Sequence, residues 1–278
     1  MADRVAAPRA GRRAWSLEAL FLSPTLLFAA FILVPLVALA VRGWQDGEVA
    51  ERLASPFVLH ALRLSIVTST LSLALALIFG VPAAYLLARS RFPGHRLLTI
   101  LVELPMVLPP TVAGVALLVA FGRRGAIGST LSSMGLELSF TTAAVVLAQL
   151  FVSAPFLVRS LQAGFEAIDP TYEDVSRTLG VSDWRTFWRV TLPLAWPSLL
   201  SGAVLCWTRA LSELGATLIF AGNFEGRTQT MPLAIITAFE SRAGLSGAIA
   251  LSLVLLAVAF LLLVLARVSR GRSRGDVS

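Results

Sequence analysis

The stretch LSIVTSTLSLALALIFGVPAAYLLA, Leu64–Ala88, runs for 25 residues without a charge and stops at Arg89. A helix rises ~1.5 Å per residue, and about 20 apolar residues cross the ~30 Å hydrocarbon core of a bilayer. The stretch is long enough to span a membrane. Lipid offers the backbone no hydrogen-bond partner, so such a run satisfies its own amides as a helix.

Five more runs flank it: Ala19–Val41, Leu104–Gly122, Phe140–Val158, Leu192–Thr208 and Ala243–Ala266. The third span reaches back to about Leu97 and carries Glu103, and the fifth continues past Arg209 and Glu213 to about Phe220. The fold expected is an all-α membrane protein with six transmembrane helices over residues 19–267. Segment 1–18 precedes them and tail 268–278 follows. Ala38-Leu39-Ala40 resembles a signal-peptide cleavage site, but the 23 apolar residues around it exceed the roughly 7–15 of a signal-peptide core. The first run is therefore expected to stay as a helix of the membrane domain.

Composition agrees with this reading. Of 278 residues, 56% are hydrophobic and 14% charged, with a mean hydropathy of +0.81, whereas soluble domains carry about 25% charged residues. All 23 basic residues are Arg, which excludes a P-loop lysine and Schiff-base chemistry. Cys206 alone makes no internal disulfide, and with His60 and His95 it gives too few ligands for a Cys/His zinc site. The net charge of +7 points to a membrane surface rather than nucleic acid, because of where the Arg residues fall. Six spans put fifteen Arg on the side of the termini, seven on the other side, and Arg209 inside a span. The positive-inside rule then places both termini in the cytoplasm.

The loop from Arg159 to Val190 carries five of the sixteen acids: Glu166, Asp169, Glu173, Asp174 and Asp183. Asp169-Pro170 reads as a helix cap followed by Pro at the first helical position. Gly180 reads as the stop, since glycine tolerates the left-handed conformation that ends helices. Ser182 can cap a second helix with Trp184, Phe187 and Trp188 on one face at i, i+3 and i+4. Two readings stand from these residues alone: an interfacial helix with its tryptophans among lipid headgroups, or an element that docks a protein.

The spacing Gly180, nine residues, then Val190-Thr191-Leu192-Pro193 resembles the EAA loop of bacterial ABC-importer permeases, written G-x9-I-x-L-P. The Glu-Ala-Ala part falls on Asp174-Val175-Ser176, where Asp keeps the charge and Ser176 replaces the second alanine. Leu104-Pro105-Met106-Val107-Leu108-Pro109-Pro110-Thr111-Val112-Ala113-Gly114 resembles the third-span signature of permeases for molybdate, tungstate and sulfate. Residues Ser212–Asn223 with Gly226–Leu233 look like the molybdate branch, and the resemblance covers about residues 60–240. It implies a type I ABC-importer permease with a coupling loop at about 166–193. Glu173, Asp174, Gly180, Trp184, Phe187 and Pro193 would serve ATPase coupling.

Ionisable groups inside spans are costly and so draw attention. Arg209 and Glu213, four apart, can neutralise each other; they either let the fifth span pack or line the pathway. Glu103 reads as a solvated end residue. Pro105, Pro109 and Pro110 remove backbone donors beside Thr111, giving a packing kink or a pathway lining. Pro109, Pro110, Thr111, Arg209, Ser212, Glu213 and Thr217 are thus the pathway or gate candidates. Asn223, Arg227, Thr228, Gln229 and Thr230 form a donor-rich outer segment that would suit an oxyanion. Met231–Phe239 is too short to span and is expected as a short helix at the outer surface.

The resemblance implies the membrane subunit of an ATP-driven importer for a tetrahedral oxyanion, molybdate first, in a bacterial inner membrane. Its partners would be a second copy of the chain, two ABC ATPase subunits, a periplasmic oxyanion-binding protein and membrane lipid, with no nucleic acid. The chain would be no enzyme and would hold no cofactor, ATP and Mg residing on the ATPase. Tungstate and sulfate are the alternative substrates. An ion-coupled secondary transporter is the alternative of a different class, and it would have only Glu103 and Glu213 for a relay.

Overall fold

The computed structural model describes residues 11–47 and 55–275. Arg4 and Arg9 of segment 1–18, Arg52, and the last three residues of tail 268–278 lie outside the described residues. Every regular element among the described residues is helical. Helix α1 (Gly11–Gln45) contains Pro24 and Pro35 and forms one unit by itself. Residues 51–278 form the second unit.

The second unit is built around α2 (Pro56–Arg89) and α6 (Thr142–Glu166), each long and apolar enough to cross a membrane. One face of α2 buries Ser65, Thr68, Ser69, Ser72, Ala76, Gly80 and Ala84, a stripe of small residues that lets neighbouring helices approach closely. A Cβ on Gly80 would lie 3.2 Å from the Val158 side chain of α6. The hydroxyls on this stripe are structural. Ser72 Oγ donates to the Val146 carbonyl at 2.9 Å, and Ser69 Oγ accepts from Trp207 Nε1 at 2.9 Å. Such interhelical bonds contribute about 0.6 kcal/mol each in a membrane.

The third apolar run is broken rather than kinked. It forms α3 (His95–Val107) and α4 (Pro110–Phe121), which meet at 118°. Leu108, placed before Pro109, is driven to extended backbone (φ −67°, ψ 135°), and Pro109 follows it (φ −54°, ψ 134°). Pro110 then opens α4 at a position where its missing N–H costs nothing. Glu103 is not a free end residue: its carboxylate meets Arg159 of α6 at 3.0 Å. A short α5 (Gly128–Ser133) follows.

The fifth run also departs from the expected continuous helix. After α6 the chain makes α7 (Thr171–Thr178), α8 (Asp183–Thr186), a π-helical turn (Phe187–Thr191), α9 (Leu192–Leu194) and α10 (Trp196–Leu211). Residues 183–194 bend by 74° from α10 at Ala195. The run does not reach Phe220 as one helix: it stops at Leu211 and restarts as α11 (Gly215–Ala221). Helix α12 (Met231–Glu240) is the short helix expected here, and Met231, Leu233 and Ala234 on it are fully buried. It packs on α2 and on α13 (Gly244–Gly275), with Met231 N donating to Ser65 Oγ at 2.7 Å. Its first turn and Ala238 are covered by protein, while Phe239 stays 58% exposed.

Candidate functional site: an aromatic-tipped knob and a junction of broken helices

Residues 168–191 fold into a knob beyond the end of α6. Asp169 starts it, its Oδ1 accepting from Thr171 N at 2.9 Å and Thr171 Oγ1 at 2.6 Å. These two bonds hold the Asp169 carboxyl below its ordinary pKa, the side-chain bond contributing most. Helix α7 ends in a Schellman turn. Val181 N reaches the Ser176 carbonyl at 3.1 Å and Gly180 N that of Arg177 at 2.9 Å, with Gly180 left-handed at φ +76°. Arg177 pairs with Asp174 at 2.7 Å and Asp183 at 2.9 Å, and the Asp183 bond raises its pKa. Ser176, at the departure from the Glu-Ala-Ala pattern, bonds Thr186 through buried hydroxyls 2.7 Å apart. The serine ties the two knob helices together where alanine could not.

The aromatic residues divide into two roles. Trp184 is 71% exposed and Trp188 50%, beside Leu179 at 76%. Phe187 lies with them as expected, 6.5 Å from Trp184 and 5.3 Å from Trp188, and also reaches inward to Tyr85 of α2 at 5.1 Å and Phe165 of α6 at 6.2 Å. A π-helical turn, in which Leu192 N bonds the Phe187 carbonyl, begins at this residue. Pro193 is exposed at the start of the bend. Glu173 is buried under the knob at 4% exposure. Its Oε1 accepts from Arg89 Nε at 3.2 Å and from Thr191 Oγ1 at 2.9 Å. Arg89, Thr191 and Tyr85 were not singled out in the sequence. The one available signal was an Arg closing an apolar run, which the positive-inside count already explained.

The second group of candidates meets where α4 and α11 cross. A Cβ on Gly215 would lie 2.8 Å from Pro110 Cβ, and one on Gly114 would lie 2.9 Å from Ala216 Cα. The two helix breaks, Pro109-Pro110 and Ser212–Leu214, are therefore brought into backbone contact. Pro109, Pro110, Thr111 and Ser212 are exposed on one rim, while Glu213 and Thr217 are buried beneath it. Glu213 is 1% exposed: Oε1 accepts from Ala216 N at 2.8 Å, and Oε2 pairs ionically with Arg209 Nη1 at 2.8 Å without hydrogen-bond geometry. It thus caps α11 and neutralises Arg209 across the break. Thr217 Oγ1 has no hydrogen-bond partner among the described residues.

The donor-rich segment is largely turned inward, contrary to an open cradle. Asn223 Nδ2 and Gln229 Nε2 both donate to Thr237 Oγ1, at 2.9 and 3.1 Å. Thr228 is buried and closes its own turn, accepting from Phe224 N at 3.0 Å and donating to the Gly222 carbonyl at 3.1 Å. Buried donors need partners, and most here find them in the turn itself or in Thr237 of α12, whereas buried Thr230 Oγ1 has none among the described residues. Arg227 alone of the five keeps an exposed side chain. No group of three metal-ligating residues occurs among the described residues.

The apolar spans, two of them broken and brought together at their breaks, carry an aromatic-tipped knob at one end. Residues 76–275 match the family described as binding-protein-dependent transport system inner membrane component, and the chain belongs to that family. It is similar to the molybdenum transport system permease protein ModB of Mycobacterium bovis, with 45% identity over 87% of this chain and 90% of that one. The ModB of Escherichia coli is 41% identical over 77% of this chain and 96% of its own length. A solved bacterial alginate ABC transporter shares the fold, with a TM-score of 0.72 at 18% identity, covering 92% of this chain and 93% of that one.

Proposed function

We propose that the chain is the membrane-spanning permease of an ATP-driven importer for molybdate. The observation that carries the substrate is its 41–45% identity, over most of the chain, to permeases named for molybdenum transport. Both termini and the knob face the cytoplasm, where the Arg excess lies. The knob, residues 168–191, docks a cytoplasmic ABC ATPase through Trp184, Trp188 and Leu179, an apolar tip too exposed to be spent on the chain's own packing. ATP and Mg belong to that ATPase. Two copies of the chain assemble with two ATPase subunits, and a periplasmic protein delivers the oxyanion.

The anion passes along the rim of the helix junction, where Pro109, Thr111 and Ser212 are exposed and Arg209 is partly so. Broken helices at transport sites free backbone groups to face a substrate. Arg209, already partnered by Glu213, offers its remaining donors without presenting an uncompensated charge.

Deleting the gene and supplying trace molybdate tests the substrate: growth on a molybdenum-dependent nitrogen source should fail and be restored by excess molybdate. Competition separates the alternatives. Uptake suppressed by tungstate but not by sulfate fits this reading, and suppression by sulfate at equal concentration would reassign the substrate. Orientation is tested by alkaline phosphatase fusions, which should be inactive after Ser278 and active near Asp46.

A further inference from the structure

The knob is tied to the spans by one buried ionic contact. Arg89 is the last residue of α2; its Nε donates to Glu173 Oε1 at 3.2 Å and its Nη2 to the Ile168 carbonyl at 3.1 Å. Thr191, at the end of the turn that leads into α10, donates to the same Glu173 oxygen at 2.9 Å. Four segments meet on this pair: the end of α2, the exit of α6, helix α7 and the lead-in to α10. The arginine and glutamate side chains are 14% and 5% exposed. The outer shape of the knob is held by other bonds, namely the Gly180 turn, the Ser176–Thr186 contact and the Arg177 pairs.

Beside the ionic contact lies an aromatic layer, in which Tyr85 meets Phe165 at 5.5 Å and Phe187 at 5.1 Å. Ring-to-ring contacts are weakly directional and allow sliding, as in the shear motions of packed helices. A charge-assisted hydrogen bond fixes direction and register. The two layers therefore divide the work: the aromatics keep the knob seated, and the ion pair decides whether α2 follows when the knob moves.

We infer that Arg89 is a positioning residue of the transport cycle, acting through Glu173 to make the α2 span move as one body with the knob. The inference rests on the reading of the knob as the ATPase-docking element. It adds that transmission to the spans runs through this internal pair and not through the docking face.

The test uses the assembled importer, with its ATPase and binding protein, reconstituted in liposomes. Two quantities are read: the ATPase retained by the permease, and molybdate taken up per ATP hydrolysed. Arg89→Gln removes the nearer charge and leaves buried Glu173 only Arg177, 3.7 Å from its Oε2, so the paired variant Arg89→Met with Glu173→Met is measured beside it. An apolar replacement of a buried ion pair commonly preserves folding. Both variants should retain wild-type amounts of ATPase while uptake per ATP falls about tenfold, a usual size for coupling between sites. Arg89→Lys, which keeps a charge on Glu173, should recover part of that loss. Wild-type uptake per ATP in the Met pair would overturn the inference, because the pair would then be packing alone. Loss of the ATPase from both variants would also overturn it, placing the pair in the shaping of the docking face. Failure of the wild-type chain to retain an ATPase or to move molybdate would instead defeat the functional reading, and the unmutated control reports that separately.

Discussion

The knob and the helix junction both depend on glycine, for different physical reasons. At Gly180 a Cβ would meet nothing within 4 Å, and only the backbone angle, φ +76°, asks for glycine. At Gly114 and Gly215 a Cβ would run into Ala216 backbone and Pro110. The knob is open on its outside and internally tied by ion pairs, so its glycine shapes a turn. The junction is closed, so its glycines set how near two backbones can come. The first region is adapted to meet another protein, the second to hold two broken helices in one place.

The largest effect should come from breaking the knob's internal tie. Glu173→Ala leaves Arg89 buried without its counter-charge, at a cost of about 3–5 kcal/mol. Thermal unfolding of the detergent-purified chain should start at a clearly lower temperature; an unchanged transition would show that the pair contributes little to this region. Next comes the junction. Gly114→Val forces α4 away from α11, and overpacking of this kind costs about 1–3 kcal/mol. Uptake should be lost even when membrane insertion is normal, and retained uptake would mean that the close approach is dispensable.

The Arg209–Glu213 pair sharpens the contrast, since the geometry gives Glu213 a capping task and leaves Arg209 partly exposed. Glu213→Ala should lower the amount of inserted protein. Arg209→Leu with Glu213→Leu should restore that amount while uptake stays low. Full recovery of uptake in the double variant would reduce the pair to a brace. The smallest effect is expected at Gly180→Val, where the strain of a left-handed residue is about 1–2 kcal/mol with no clash added. Association with the ATPase should weaken, and Gly180→Asn, which tolerates this conformation, should restore it.

The spans were legible because membrane crossing needs only length and apolarity, which a sequence displays directly. The prolines at 105, 109 and 110 announced a disturbance, but neither its size, 118°, nor the packing of α11 against it is written in local sequence. Gly180 was legible because local backbone geometry demands it. Phe187 was legible as a neighbour of Trp184 and Trp188, but its inward contacts with Tyr85 and Phe165 come from helices distant in sequence. Arg89 was missed because its partner lies 84 residues away, and helix periodicity carries no such distant pairing. The donors at 223–229 looked available because composition does not show whether a loop bonds to itself.

The most direct test of the whole account is molybdate accumulation in liposomes holding the chain, its ATPase and its binding protein. The prediction is uptake that requires ATP inside and binding protein outside, and that vanishes when Trp184→Ala with Trp188→Ala strips the knob's tip. Uptake driven instead by a proton or sodium gradient without ATP, or undiminished by the double Trp variant, would contradict it.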